Sequence, residues 1–150
     1  MKKWTVMFLF FLTIVILLLS GCAIVDLRSS KLPDTDISGR RFFYVVANAE
    51  DPGKVHEKVR DAFIEMGFES TSGPKSQIPE NVDALVSYDD RWFWDMTNYM
   101  IELNLIIREP KTGYPLAEGE SIRTSLARKN PKDMAKEILE SIFNPKSAAN

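Results

Sequence analysis

Cysteine is nearly missing from this chain of 150 residues: Cys22 stands alone, so no intrachain disulfide can form. Histidine is as scarce, and His56 without cysteine partners excludes a zinc site of the usual kind. Basic charge is not in excess, with 19 Lys and Arg against 21 Asp and Glu. No basic run or stripe exists, so nucleic acid is not an expected partner, and no polybasic patch is present to grip anionic headgroups. A glycine-rich phosphate loop, a CxxC pair and a serine nucleophile elbow are all absent. No cofactor is expected on these grounds. Internal repeats and low-complexity tracts are lacking too.

What the sequence does have is an apolar start. Lys2 and Lys3 precede sixteen residues, Trp4 to Leu19, interrupted only by Thr5 and Thr13. A positive start, an apolar middle and small residues before a cut form the secretory pattern. The run falls short of the roughly 20 apolar residues of a spanning helix. It ends in Leu19-Ser20-Gly21-Cys22, which resembles the lipobox of bacterial lipoproteins at all four positions. The resemblance implies a diacylglyceryl (palmitate-type) modification of the Cys22 thiol and cleavage just before it. Residues 1–21 are then a signal peptide, and the mature protein is held to a lipid bilayer. Ala23, where an aspartate would signal inner-membrane retention in Gram-negative lipoproteins, resembles the outer-membrane address. The expected location is the periplasmic face of a Gram-negative outer membrane. Lys2 and Lys3 leave with the signal, so 17 basic and 21 acidic side chains remain, a formal charge of −4.

Residues 22–39 read as a lipidated N-terminus and flexible tether, with Ser29, Ser30, Pro33, Asp34, Asp36 and Ser38 and no sustained periodicity. A coil of about sixteen residues spans roughly 20–25 Å. Residues 40–144 form one α+β domain, and 145–150 a frayed tail. Within the domain, Arg41 to Ala47 is apolar on both alternating sets, as in a strand covered on both faces. Asp51-Pro52 reads as an N-cap with proline at the first helical position. Val55, Val59, Ala62, Phe63 and Met66 then make one apolar helix face, stopped by Gly67 with Phe68 folding back.

Phe68 to Ser72 is a short strand, and residues 73–81 are a loop with two prolines. Val82 to Tyr88 alternates as a third strand. Tyr99, Ile101, Leu103, Leu105 and Ile107 form one row of the clearest strand. Pro110 to Gly113 turns into a strand over Tyr114 to Arg123. Asn130-Pro131 caps a second helix with Met134, Ala135, Ile138, Leu139, Ile142 and Phe143 buried. The order β-α-β-β-β-β-α predicts a mostly antiparallel sheet of four or five strands with two helices on one face. In layout, and in the tract Thr112 to Ala117, this resembles the small α+β domains of envelope lipoproteins of the TolB N-terminal, CsgG and LpoB group.

Chemistry-bearing residues crowd one stretch, Tyr88-Asp89-Asp90-Arg91-Trp92-Phe93-Trp94-Asp95-Met96. Its aspartates admit a small hydrolase using Asp89, Asp90 and Asp95, or a hard cation. No second cluster completes the former, and the spacing of a calcium loop is missing. Trp92 and Trp94 share a face in extended backbone, and a structural role would turn both indoles inward. A recognition role would expose them beside Arg91 and Asp90 as anchors for a protein partner, or for carbohydrate or peptidoglycan. Ser121, Thr124 and Ser125, beside Arg123, Arg128 and Lys129, read as solvated loop chemistry before an anion site. The expected function is a non-catalytic, membrane-anchored envelope lipoprotein that binds or helps assemble an envelope protein partner.

Overall fold

Periodicity and caps fix most of the elements. The computed structural model describes residues 3, 4, 6–8, 10, 11, 25–33 and 35–144. Cys22, the rest of the lipobox and the tail 145–150 lie outside the described residues. The elements are β1 (Val25–Lys31), β2 (Phe42–Val46), α1 (Val55–Glu65), β3 (Glu69–Gly73), β4 (Ala84–Asp95), β5 (Thr97–Arg108), β6 (Pro115–Arg123) and α2 (Pro131–Phe143). They form one six-stranded sheet ordered β1-β6-β5-β4-β2-β3. Pairings on the β1 side are antiparallel, while β2 runs parallel to both β3 and β4.

The fold is a mixed α+β fold, with one strand more than the four or five expected. The extra strand is β1, and over the described residues 25–33 and 35–39 it corrects the reading of a flexible tether. Val25 to Lys31 pairs along its length with β6, from Val25 opposite Arg123 to Lys31 opposite Ala117. The linker-like composition arises because β1 is an edge strand with little to bury, only Leu27 packing against the core. The chain stays pinned beyond it. Leu32 donates its N–H to the Leu116 carbonyl at 3.1 Å, the Thr35 hydroxyl lies 2.9 Å from the same oxygen, and Ile37 is buried.

The α1 helix stops as its sequence demands. Gly67 takes φ +87°, Phe68 N–H returns to the Phe63 carbonyl and Gly67 N–H to that of Ile64, the Schellman pattern. Its start differs from expectation. Pro52-Gly53 makes a turn, Lys54 takes φ 49°, and the helix begins only at Val55. Asp51 still caps it from outside, accepting the backbone N–H of Val55 at 2.8 Å and of His56 at 3.1 Å. For α2 the Asn130 side chain accepts the Asp133 N–H at 2.9 Å, with Pro131 in the first turn, as read.

The α1 and α2 helices pack on one face of the sheet; the described residues between 3 and 11 are also helical. Phe43, Phe63, Phe68 and Phe143 knit α1, β2 and α2, Phe43 stacking on Phe63 with centroids 4.5 Å apart and meeting Phe143 edge-on at 5.9 Å. Over β6, α2 sits so close that a Cβ on Gly119 would lie 2.4 Å from Ile138 Cγ2. Glycine is therefore what lets the helix down onto the strand. The other face of the sheet carries Asp89, Arg91, Glu102, Asn104, Arg108, Glu118 and Glu120 on the same side by register, interspersed with Leu85, Ile106 and Ile122.

Candidate functional site

Only residues 84–86 of β4 pair with β2, and only 102–108 of β5 pair with β6, yet β4 and β5 pair with each other as far as Asp95 and Thr97. The last third of this hairpin is thus a two-stranded arm beyond the sheet, turning at Met96 with φ 60°. Its register slips between Arg91 and Trp92, because Arg91 faces Glu102 while Trp92 faces Met100. Ile101 is the extra residue of a bulge, and bulges re-aim the side chains beyond them. Met100 takes the buried place, while Tyr99 and Ile101 become half-exposed. This corrects the expected continuous row from Tyr99 to Ile107.

The arm carries the aromatic cluster into solvent. Trp94 is 69% exposed, Phe93 53%, Met96 87% and Trp92 38%. The expectation that a true strand would turn both indoles inward fails for a physical reason: the strand outruns the core it would have faced. Trp92 is the better held. Its indole N–H donates to an Asp90 carboxylate oxygen at 2.5 Å, and its ring lies over Gly53, where a Cβ would meet it at 2.9 Å. Phe93 meets Tyr99 edge-on at 5.8 Å, and the Arg128 guanidinium sits 3.8 Å from the Tyr99 ring centre.

The charged neighbours disperse. Arg91 is ion-paired with Glu102, and Arg128 with Asp95 at 3.2 Å. Asp90 serves the Trp92 indole. Asp89 instead turns to the sheet face away from the helices, beside a hollow of about 450 Å³ lined also by Arg28, Asn104, Glu118 and Glu120. The three aspartates named for hydrolysis therefore do not converge. Among the described residues no group of three His, Cys, Asp or Glu could hold a metal ion. Ser121 and Arg123, at the end of the expected strand and read as solvated, are buried in β6, and Arg123 pairs with Glu137 of α2. Arg123 is unavailable to an anion for that reason.

Sequence reasoning missed a second polar cluster, at the base of the arm. The Asp51 carboxylate accepts the Tyr88 hydroxyl at 2.6 Å and meets His56 Nδ1 at 2.5 Å, in addition to its two helix N–H groups. Burial pushes its pKa up, but the bonds from Tyr88, His56 and the Val55 and His56 amides outweigh that and hold it down at about 2. Burial, first, and the Asp51 carboxylate raise the Tyr88 hydroxyl well above its ordinary value, so it stays a donor. Asn48 completes the knot, its N–H and side-chain amide reaching the Tyr88 hydroxyl and carbonyl at 3.2 Å. With every carboxylate oxygen engaged, the cluster is a clamp between β4 and α1. The only sequence signal for it was the Asp51-Pro52 pair.

No family model and no curated protein sequence matches the chain. Among solved structures, the PelC dodecamer from Paraburkholderia phytofirmans is similar in fold. Its L103M form aligns at TM-score 0.57 and 12% identity over 76% of this chain and 96% of that one. A second PelC structure aligns at 0.54 and 13% identity over 85% and 100%. A PDZ domain protein from Parabacteroides distasonis aligns at 0.50 and 11% identity, over 83% of this chain but 36% of its own. The likeness is one of fold.

Proposed function

We propose that the protein is a lipoprotein of the bacterial cell envelope, held to its membrane by acyl chains on Cys22 and working without catalysis as a binding or assembly module for an envelope protein. The observation that carries this is the lipobox-like Leu19-Ser20-Gly21-Cys22 directly after an apolar run and directly before the folded domain. The described part of that run supports it. Trp4, Val6, Met7, Phe8 and Phe11 are exposed and stand outside the core cluster of the described residues, as suits a segment that is removed. Among the described residues no helix is long and apolar enough to cross a membrane. Ala23 as the residue after the cysteine supports an outer-membrane, periplasm-facing location. Two or three acyl chains give stable attachment where one is marginal.

Fatty-acid labelling tests it: Cys22→Ser should abolish the label and leave uncut precursor. Normal labelling of the variant defeats the proposal. The exposure of Trp92 and Trp94 also favours a second reading, binding of carbohydrate or peptidoglycan by the two indoles. Retention of the protein on purified peptidoglycan, lost in Trp94→Ala, would establish that one.

A further inference from the structure

We infer that the tip of the β4–β5 arm, with Phe93, Trp94 and Met96, rests in the headgroup boundary of the bilayer to which Cys22 attaches the protein. The inference builds on the acylation proposed above. It comes from the sheet register. Val25, first residue of β1, pairs with Arg123, the neighbour of Ile122, and Ile122 pairs with Glu102. The end of β1 that leads back to Cys22 is therefore level with the root of the arm, at the same end of the sheet.

Two lengths then compare. Cys22 precedes Val25 by three residues, so its thiol reaches at most about 10 Å past the strand. The arm continues five residues from Ile101 to Met96, about 17 Å measured along the strand. With the strands upright on the bilayer, a cysteine whose acyl chains are inserted brings the tip to the membrane surface or several ångströms into it. That matches the roughly 5–10 Å at which apolar side chains lie in the headgroup boundary.

The chemistry at the tip fits that depth. Among the described residues Trp94, Phe93 and Met96 are exposed, with Phe93 touching only the edge of Tyr99 on one side, and indoles favour the membrane–water boundary. The nearby carboxylates would oppose entry, but Asp95 is paired with Arg128 and Asp90 takes the Trp92 N–H. The remaining charges stand nearer the root, in the Arg91–Glu102 pair.

The chain holds three tryptophans, Trp4, Trp92 and Trp94; Trp4 leaves with the signal peptide, and full-chain Trp4→Phe ensures that any uncut precursor also has only the two arm indoles to fluoresce. That protein, expressed in a bacterial envelope, is reconstituted into phosphatidylethanolamine–phosphatidylglycerol vesicles, with and without lipids brominated near the headgroup end of the acyl chain. Mass spectrometry reads the acyl group on Cys22. Tip insertion predicts that brominated lipid quenches the Trp94 share of the fluorescence and that this share is protected from acrylamide, since that indole then lies at the acyl boundary. An acylated protein whose fluorescence is unchanged by bromine overturns the inference and leaves the anchor standing. Indoles shielded from both quenchers mean that another occupant, such as a second copy, covers the tip, and overturn it equally. A protein without the acyl group overturns the attachment, and the inference with it.

Discussion

Gly119→Ala is the sharpest test of how the helices sit on the sheet. The added methyl carbon would lie 2.4 Å from Ile138 Cγ2 and 3.3 Å from both Ile142 Cδ1 and the Arg28 carbonyl. Ile138 Cγ2 branches from Cβ, so rotating a flexible end cannot relieve the clash; α2 must lift from β6 or Ile138 must leave its rotamer. Overpacking of this kind costs about 1–3 kcal/mol. Replacing glycine in a strand returns about 0.5–1 kcal/mol of backbone entropy. A net loss of about 1–2 kcal/mol is therefore expected. Urea unfolding followed by far-ultraviolet circular dichroism is the suitable assay, because the arm tryptophans report little on this interface. The midpoint should fall with an unchanged slope. Pairing the change with Ile138→Leu, which removes the β-branch at similar volume, should recover part of the loss, a coupling within the roughly 0.5–3 kcal/mol seen for residues in contact. A Gly119→Ala midpoint equal to or above the parent would mean that α2 does not press on β6 as described.

Phe63→Ala removes the stacking partner of Phe43 and should lower stability by about 3–5 kcal/mol in the same assay; an unchanged midpoint would refute the packing of α1. The Asp51 clamp predicts a pH dependence. Its pKa is depressed from 3.8 to about 2, so its contribution of about 2 kcal/mol is present above pH 4 and fades as pH falls through about 2. Asp51→Asn should thus be less stable than the parent at pH 7 and nearly equal to it at pH 2; a constant difference across that range would contradict the clamp.

How far the sequence foretold this arrangement depends on what each segment buries. The α2 helix was legible at both levels, because Asn130-Pro131 spells its cap and Met134 to Ile142 spell its face. The stop of α1 at Gly67-Phe68 was legible for the same reason. In β1 the text is Val-Asp-Leu-Arg-Ser-Ser-Lys, and a strand at a sheet edge with one half-buried leucine has no periodicity to show. Ile101 broke a row that looked unbroken, because a bulge leaves no mark on apolar composition. For the indoles, their common face was readable, but what that face would meet depends on the lengths of β2 and β6, far away in the chain. The Asp51–Tyr88–His56 clamp joins residues 37 apart in sequence, and only the topology brings them together.

The pairing of β1 with β6 also governs when folding can finish. Val25 is opposite Arg123, nearly a hundred residues downstream, so a chain emerging N-terminus first makes β1 long before it makes the partner. Its closure is among the most costly in loop entropy and the least local in the domain. The helix that covers this half of the sheet, α2, is later still, ending at Phe143. Until those last turns exist, Val25 to Lys31 is an unpaired stretch adjoining the cysteine. Pairing of this edge strand with β6 is therefore among the last steps that complete the sheet.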